Sequence, residues 1–173
     1  MRHASTANLM DVFLQPGEHF VGDSDYRVRT LLGSCVSITL WHAARRIGAM
    51  SHFLLPNRST QNVGVLDGRY GEEVMQIMLR ELAAVGIQPT DCVGKIFGGG
   101  NMFPGQSRAE VRNVGIKNGE AARTLLLAHQ IPVVSESLFG VGHRQIIFDI
   151  SNGDVWARQV RPSDPRLKGG PPS

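Results

Sequence analysis

The chain has 173 residues, 42% of them hydrophobic, and its 18 basic and 15 acidic residues give a formal net charge of +3 at pH 7. This length suits one domain with a real hydrophobic core. The charge is nearly balanced and no dense Lys/Arg run occurs, so we expect an acidic protein rather than a nucleic acid as partner. No apolar run approaches the roughly 20 residues that span a bilayer, so we expect no membrane insertion.

Cysteine usage and the ends of the chain indicate the compartment and the domain bounds. Cys35 and Cys92 are too few for the disulfide framework of a small secreted domain. The N-terminal segment lacks the apolar stretch and the cleavage site of a secretory signal peptide. We therefore expect a soluble cytoplasmic protein with one domain over residues 9–160. Residues 1–8 and the Pro- and Gly-rich residues 161–173 are predicted to be flexible termini.

Apolar periodicity predicts a mixture of strands and two helices. In chain order these are strands 36–41 and 47–55, a helix from Gly71, strand 92–97, a helix from Asn118, and strands 131–135, 145–150 and 155–160. The first helix should bury Val74, Met78, Leu82 and Val85 and end at Gly86, and the second should have Asn118 as its N-cap. The segment "SNGD" predicts a hairpin turn between the last two strands. The fold class is therefore α/β or α+β.

The first two strands suggest a pairing of chemical interest. A hairpin whose loop of two or four residues is centred on Ala43 and Ala44 would place the apolar residues of both strands on one face. The same register places Cys35 directly opposite His52, with Cβ atoms about 5 Å apart. The four-residue loop 42–45 is favoured because Ala-Ala is poor in a tight turn. A five-residue loop would turn His52 to the other face.

A thiol next to an imidazole can act as a nucleophile. The imidazole accepts the thiol proton and later gives a proton to the leaving group. The backbone N–H groups of Gly33, Ser34 and Cys35 are candidate oxyanion donors. Thr30 is either an ordinary strand residue or a third group that orients His52. The alternative is that Cys35 and His52 are core residues, since free cysteines are often buried.

A glycine run marks a second candidate region. The segment "KIFGGGNMF" at 95–103 lacks the spacing of a phosphate-binding loop. It is either a tight turn after a strand or a loop that faces a substrate, with Gly99, Gly100 and Asn101 as candidate binding residues. Cys92 is expected to be a buried structural thiol. The histidines show no metal-ligand spacing, so we expect neither a metal nor another cofactor.

Several ordered motifs together resemble one known family. They are "LLGSCV" at 31–36, "GAMSHFLLP" at 48–56, "KIFGGGNMF", "NVGIKN" at 113–118 and "GVGHRQIIFDISNGDV" at 140–155. These motifs resemble the CheD-type chemoreceptor glutamine deamidases. The resemblance implies that Cys35 is the nucleophile, His52 the base and Thr30 the third catalytic residue. It also implies a layered α/β fold of β-sandwich-like mixed sheets with two main helices, similar to the catalytic domain of cytotoxic necrotizing factor toxins.

The resemblance implies a reaction and its partners. The expected reaction is hydrolysis of glutamine side chains to glutamate, with release of ammonia, in the cytoplasmic domain of methyl-accepting chemotaxis receptors, through a thioester at Cys35. A CheC-type phosphatase is a further expected partner. One alternative is a mainly non-catalytic regulator that binds this phosphatase. Others are cleavage of glutamyl methyl esters, and transfer of an amine to the same thioester.

Overall fold

The computed structural model of the chain describes residues 8–60, 64–105 and 109–161. These residues form nine β-strands and two α-helices. In chain order the elements are β1 (Met10–Phe13), β2 (His19–Gly22), β3 (Tyr26–Leu32), β4 (Val36–His42), β5 (Ile47–Ser51), α1 (Gly71–Ala84), β6 (Val93–Gly98), α2 (Ala109–Ala128), β7 (Val133–Leu138), β8 (His143–Asp149) and β9 (Val155–Val160). A single 3-10 turn at Pro89–Asp91 leads into β6.

The strands form two mixed sheets, and the helices cover one of them. Sheet A has the order β1-β3-β8-β9 and sheet B the order β2-β5-β4-β6-β7. The sheets face each other across an apolar cluster that includes Val28, Met50 and Phe148. The helices pack on the other face of sheet B through a second cluster that includes Ile38 and Met78. This three-layer arrangement confirms the α/β prediction of mixed sheets with two helices. The similarity to cytotoxic necrotizing factor stays a prediction.

Side-chain alternation explains how the layers assemble. In β4, Val36, Ile38 and Leu40 belong to the cluster under the helices, whereas Trp41 packs between the sheets. In α1, the predicted apolar stripe is buried except at its end, where Val85 is 44% exposed. Gly86 has the left-handed φ of 81° that ends the helix, as the sequence predicts.

The second helix and the first three strands differ from the sequence prediction. Helix α2 begins at Ala109, so Asn118 lies inside the helix and is not its N-cap. Strands β1, β2 and β3 were not predicted; β1 and β2 have four residues each, β1 is mostly exposed and β2 is only partly buried, so their apolar pattern is weak. Strand β3 is stabilised by pairing with the distant β8 and β2 by pairing with β5, and β1 pairs with β3.

The β4–β5 hairpin keeps the predicted faces but not the predicted register. Leu40 pairs with Ala49, and an isolated bridge pairs Val36 with Phe53. The loop has four residues, 43–46, since His42 still pairs with Ile47. The register is thus shifted by two residues from the predicted one, and the direct opposition of Cys35 and His52 was wrong. Because the shift is even, both residues still lie on the face toward sheet A.

Two structural facts bear on the remaining expectations. Neither helix within the described ranges is both long and apolar enough to cross a membrane. The predicted flexible termini, residues 1–8 and 161–173, lie outside the described residues apart from Asn8 and Arg161. The domain bounds 9–160 stay a prediction.

The contact between the two sheets can be tested at Phe148. Its ring is fully buried and lies against Gly48 of the opposite sheet, where an added Cβ would come within 2.8 Å of the ring. We expect Phe148→Ala to lower the free energy of unfolding by about 3 to 5 kcal/mol, because it leaves a cavity between the sheets. Urea unfolding followed by circular dichroism measures this change.

Trp156→Ala is the matched control for that experiment. Trp156 lies on the neighbouring strand β9 and is 51% exposed. Its removal should change the free energy of unfolding by no more than about 1 kcal/mol. Equal losses in the two variants would contradict a shared core between the sheets.

Candidate active site

Thr30 and His52 meet between the two sheets. Thr30 is on the inward face of β3 in sheet A, and His52 directly follows β5 in sheet B. The Thr30 Oγ1 atom lies 2.7 Å from Nδ1 of His52 and 2.8 Å from the carbonyl oxygen of Leu14. Both side chains are buried, each with 3% exposure. The structure thus brings the threonine and the histidine proposed from the sequence into direct contact.

This contact specifies the tautomer of the imidazole. A threonine hydroxyl has one hydrogen, and the carbonyl of Leu14 can only accept it. To satisfy both short contacts, the hydroxyl donates to Leu14 and Nδ1–H of His52 donates to the Thr30 oxygen. Nε2 of His52 is then left without a hydrogen. It is the atom that can accept a proton from a nearby acid such as a thiol.

Burial keeps both the imidazole and the thiol neutral at neutral pH. It lowers the pKa of His52 to about 4, because removal from water penalises the imidazolium ion. It also raises the pKa of the Cys35 thiol, because the thiolate would be poorly solvated. No preformed thiolate–imidazolium pair is therefore expected. Proton transfer from sulfur to His52 would accompany attack on a substrate.

Cys35 lies immediately before β4 and is partly buried against the cluster between the sheets. The observed register places it diagonally from His52 on the same face of sheet B, instead of directly opposite. The thiol and the imidazole do not hydrogen-bond to each other in this structure. In substrate-free enzymes such contacts are often long and shorten when the substrate binds.

A segment that sequence reasoning did not single out supports His52. The N–H of His52 donates to the carbonyl of Glu18 over 3.2 Å, and its carbonyl accepts from the N–H of Gly17 over 2.8 Å. Together with Leu14, these residues connect β1 of sheet A to β2 of sheet B. The crossover 14–18 therefore touches both members of the Thr30–His52 pair. The contact of this crossover with Thr30 and His52 is visible only once β1 and β2 have paired with distant strands in their two sheets.

The loop that carries Cys35, residues 33–35 (the cysteine loop), is held in place by hydrogen bonds to its carbonyl groups. The carbonyl of Gly33 accepts from the N–H of Gly100 over 2.9 Å, and that of Cys35 accepts from the N–H of Gly99 over 3.0 Å. The carbonyl of Ser34 accepts from Nδ2 of Asn118 over 3.0 Å. The N–H groups of Gly33, Ser34 and Cys35 donate to no described backbone carbonyl. This arrangement is compatible with the predicted role of these N–H groups as oxyanion donors.

Close packing explains the glycine run at 98–100. Gly99 has a φ of 65°, and a Cβ on it would lie 2.6 Å from the carbonyl oxygen of Gly115 in helix α2. A Cβ on Gly98 would overlap the carbonyl of Cys35, and one on Gly100 would overlap that of Gly142. The glycines thus form a turn packed between the cysteine loop and α2. Direct contact of Gly99 and Gly100 with a substrate stays a prediction.

Asn101 has a local structural role in the same turn. Its side-chain oxygen accepts a hydrogen bond of 3.0 Å from the N–H of Phe103, two residues later. Its N–H donates to the carbonyl of Gly140, and its carbonyl accepts from Gly142. These bonds hold the loop after β6 against the loop before β8. The predicted contact of Asn101 with a substrate stays untested.

Comparisons with known proteins identify the family. The family model described as CheD chemotactic sensory transduction matches residues 54–159. A protein of Albidiferax ferrireducens named probable chemoreceptor glutamine deamidase CheD 2 is 64% identical over 154 residues, which are 88% of this chain and 89% of that protein. This chain belongs to the CheD family. The resemblance stated from its motifs is therefore confirmed.

Two other relatives show the same family relationship at lower identity. Probable chemoreceptor glutamine deamidase CheD 3 of Dechloromonas aromatica is 41% identical over 95% of this chain and 96% of its own length. Probable chemoreceptor glutamine deamidase CheD of Pseudomonas savastanoi pv. phaseolicola is 45% identical over 86% of this chain and 84% of its own length. Each match covers most of both proteins, so the CheD relationship extends over most of this chain.

The solved structures that resemble this chain include a hypothetical protein YfiH of Bacillus licheniformis. It has a TM-score of 0.43 and 15% identity, and the alignment covers 69% of this chain and 50% of that protein. A likeness this distant does not bear on the activity of the CheD-family chain.

The buried imidazole of this CheD-family chain predicts a pH dependence of stability. Its folded-state pKa of about 4 lies below the ordinary value of 6.5, so the unfolded chain binds a proton more readily between these values. Stability should therefore fall as the pH is lowered from about 7 to 4, by about 3 kcal/mol from this group. Denaturant unfolding at a series of pH values measures the slope.

His52→Asn is the comparison variant for the pH series. An asparagine amide can donate to Thr30 in the place of Nδ1–H but does not titrate in this range. The variant should lose most of the slope between pH 4 and 6.5. A slope that is the same in both proteins would contradict a buried, neutral His52.

Proposed function

We propose that this chain hydrolyses glutamine side chains to glutamate in the cytoplasmic domain of methyl-accepting chemotaxis receptors. The observation that carries the proposal is the hydrogen-bond chain from His52 through Thr30 to Leu14, next to the loop that presents Cys35. The substrate class comes from the names of the relatives, which are called probable chemoreceptor glutamine deamidases.

The first half of the proposed reaction forms a thioester. Sulfur of Cys35 attacks the amide carbon of the glutamine while its proton passes to Nε2 of His52. The N–H groups of Ser34 and Cys35 stabilise the oxygen of the tetrahedral intermediate. His52 then gives its proton to the departing nitrogen. The carbon–nitrogen bond breaks, ammonia leaves, and the glutamyl group remains bound to sulfur.

The second half uses water as the nucleophile. Nε2 of His52 accepts a proton from water as its oxygen attacks the thioester carbon. The carbon–sulfur bond breaks, the proton returns to Cys35, and glutamate is released. No redox step is needed, since amide and water become acid and ammonia.

The low basicity of His52 suits this proton transfer. Burial destabilises the imidazolium ion, and Thr30, the partner of Nδ1, is uncharged and does not offset that effect. An imidazolium formed during the attack is therefore a stronger acid than an ordinary imidazolium. It can protonate the amide nitrogen, which is a poor leaving group unless it receives a proton.

Replacing the nucleophile tests the proposal. Cys35→Ala should abolish the conversion of receptor glutamines, which mass spectrometry detects as a gain of about 1 Da for each amide that becomes an acid. Cys92→Ala is the matched control, because Cys92 is the other cysteine and lies in the core under the helices. It should retain conversion at a temperature where it is folded.

The same variant, with measurements of receptor signalling and of labelled-amine incorporation added, separates the alternatives. Undiminished conversion by the Cys35→Ala protein would refute the thioester mechanism. An effect on receptor signalling that persists in this variant would instead favour a regulator that binds a CheC-type phosphatase. Incorporation of a labelled amine would show transfer at the thioester instead of hydrolysis.

The role of Thr30 makes a second prediction. Thr30→Val removes the hydroxyl at nearly constant shape, so Nδ1–H of His52 loses its acceptor and the Leu14 carbonyl loses its donor. We expect kcat to fall about tenfold to hundredfold, because His52 is no longer held in the tautomer that leaves Nε2 free. Steady-state deamidation rates and nitrogen NMR of the imidazole measure the two effects.

Thr30→Ser is the matched control, since it retains the hydroxyl. It should preserve the His52 tautomer and a rate within about threefold of the original. A valine variant with an unchanged rate would show that Thr30 is only a packing residue.

A further inference from the structure

Asn118 occupies an unusual position for an asparagine. It lies in the middle of helix α2 with no solvent exposure. Asparagine is disfavoured inside helices, because its side chain competes for backbone hydrogen bonds. A buried amide is also unfavourable unless its polar atoms have partners. The position therefore requires a compensating interaction.

The compensation comes only from the Nδ2 side of the amide, through two hydrogen bonds to the segments that carry the active site, since the buried Oδ1 has no partner among the described residues. Nδ2 of Asn118 donates to the carbonyl of Ser34 over 3.0 Å and to that of Leu54 over 2.8 Å. Ser34 directly precedes Cys35, and Leu54 follows His52 by two residues. One side-chain amide thus connects the backbone beside the nucleophile to the backbone beside the base.

The bonds from Asn118 lie where β4 and the segment after β5 pair least regularly. Val36 and Phe53 form an isolated bridge with hydrogen bonds of 3.1 and 3.0 Å. Between that bridge and the regular β4–β5 pairs, the N–H of Ile38 bonds to the side chain of Ser51 instead of a backbone carbonyl. The spacing of Cys35 and His52 therefore depends on few backbone bonds. The two bonds from Asn118 add to them.

The helix is close enough to make these bonds because of a glycine one turn earlier. A Cβ on Gly115 would lie 2.5 Å from the carbonyl oxygen of Gly99. The N–H of Gly99 in turn donates to the carbonyl of Cys35. Gly115 and Asn118 lie on one face of α2, three residues apart; Gly115 packs on the glycine turn at 98–100, and Asn118 bonds to the loop that carries Cys35.

We propose that Asn118 is a positioning residue that sets the spacing and orientation of Cys35 relative to His52. It does not touch the substrate and acts only through the backbones of Ser34 and Leu54. The proposal rests on the proposed deamidation for its effect on catalysis. Its effect on the Cys35 loop can be measured without any receptor.

The principal variant is Asn118→Leu, which fills a similar volume but cannot donate. Without the amide the Ser34 carbonyl loses its donor and the loop should loosen. We expect Cys35 to be alkylated by iodoacetamide at least about fivefold faster, because burial that raises its pKa is relieved. We expect kcat for deamidation to fall about tenfold with KM within about twofold, since substrate contacts are unchanged.

Leu126→Ala is the matched control for loss of stability. Leu126 is fully buried on the same helix and packs against Gly94, away from Ser34 and Cys35. This variant should have a lower melting temperature but unchanged Cys35 alkylation and kcat. Cys92 serves as an internal reporter, because its buried thiol reacts only when the fold opens. If the leucine variant does not fold, Asn118→Ala replaces it in the same measurements.

The outcomes separate the two proposals. Faster alkylation of Cys35, with Cys92 still protected and Leu126→Ala unchanged, would support a positioning role. Equal behaviour of the Asn118 and Leu126 variants would overturn it and leave Asn118 as a purely structural residue. If the unaltered protein converts no receptor glutamine, the proposed function fails, but the alkylation comparison still decides whether Asn118 holds the cysteine loop.

Discussion

The hydrogen bond between Thr30 and His52 is the interaction on which the candidate site depends. It joins sheet A to sheet B at a buried point, and it leaves Nε2 of the imidazole free to accept a proton. The same threonine also binds the crossover 14–18, which in turn holds the backbone of His52. Packing between the sheets and the chemistry of the base are therefore coupled. A change that separates the sheets would also release the imidazole.

The cysteine side of the site is organised differently, by backbone contacts instead of a side-chain pair. Three successive carbonyls, of Gly33, Ser34 and Cys35, are each bonded to a donor from outside the loop. Two of those donors belong to the glycine turn after β6, and the third is Asn118 of α2. Layers on both sides of sheet B thus hold the nucleophile and the base. The helical layer contributes through its glycine and asparagine, not through a charged group.

Some features were predictable from local patterns because they depend on neighbours in sequence. The alternation in β4 placed Cys35 on the face opposite Val36, Ile38 and Leu40, and an even-length loop was enough to place His52 on the same face as Cys35. The stop of α1 at Gly86 and the last hairpin followed from residue type alone. The roles of Cys35, His52 and Thr30 were hypotheses from strand register and spacing that the family resemblance also implied, and they remain proposals.

The sequence by itself determined which faces of β4 and of most of α1 are buried, where the clearest strands and the first helix lie, and that the chain is a member of the CheD family. Only the tertiary structure decided the hairpin register, the early start of α2 and the contact of Thr30 with His52. The physical reason is distance along the chain. Asn118 looks like an N-cap until the carbonyls of Ser34 and Leu54, more than 60 residues away in sequence, are brought to its amide.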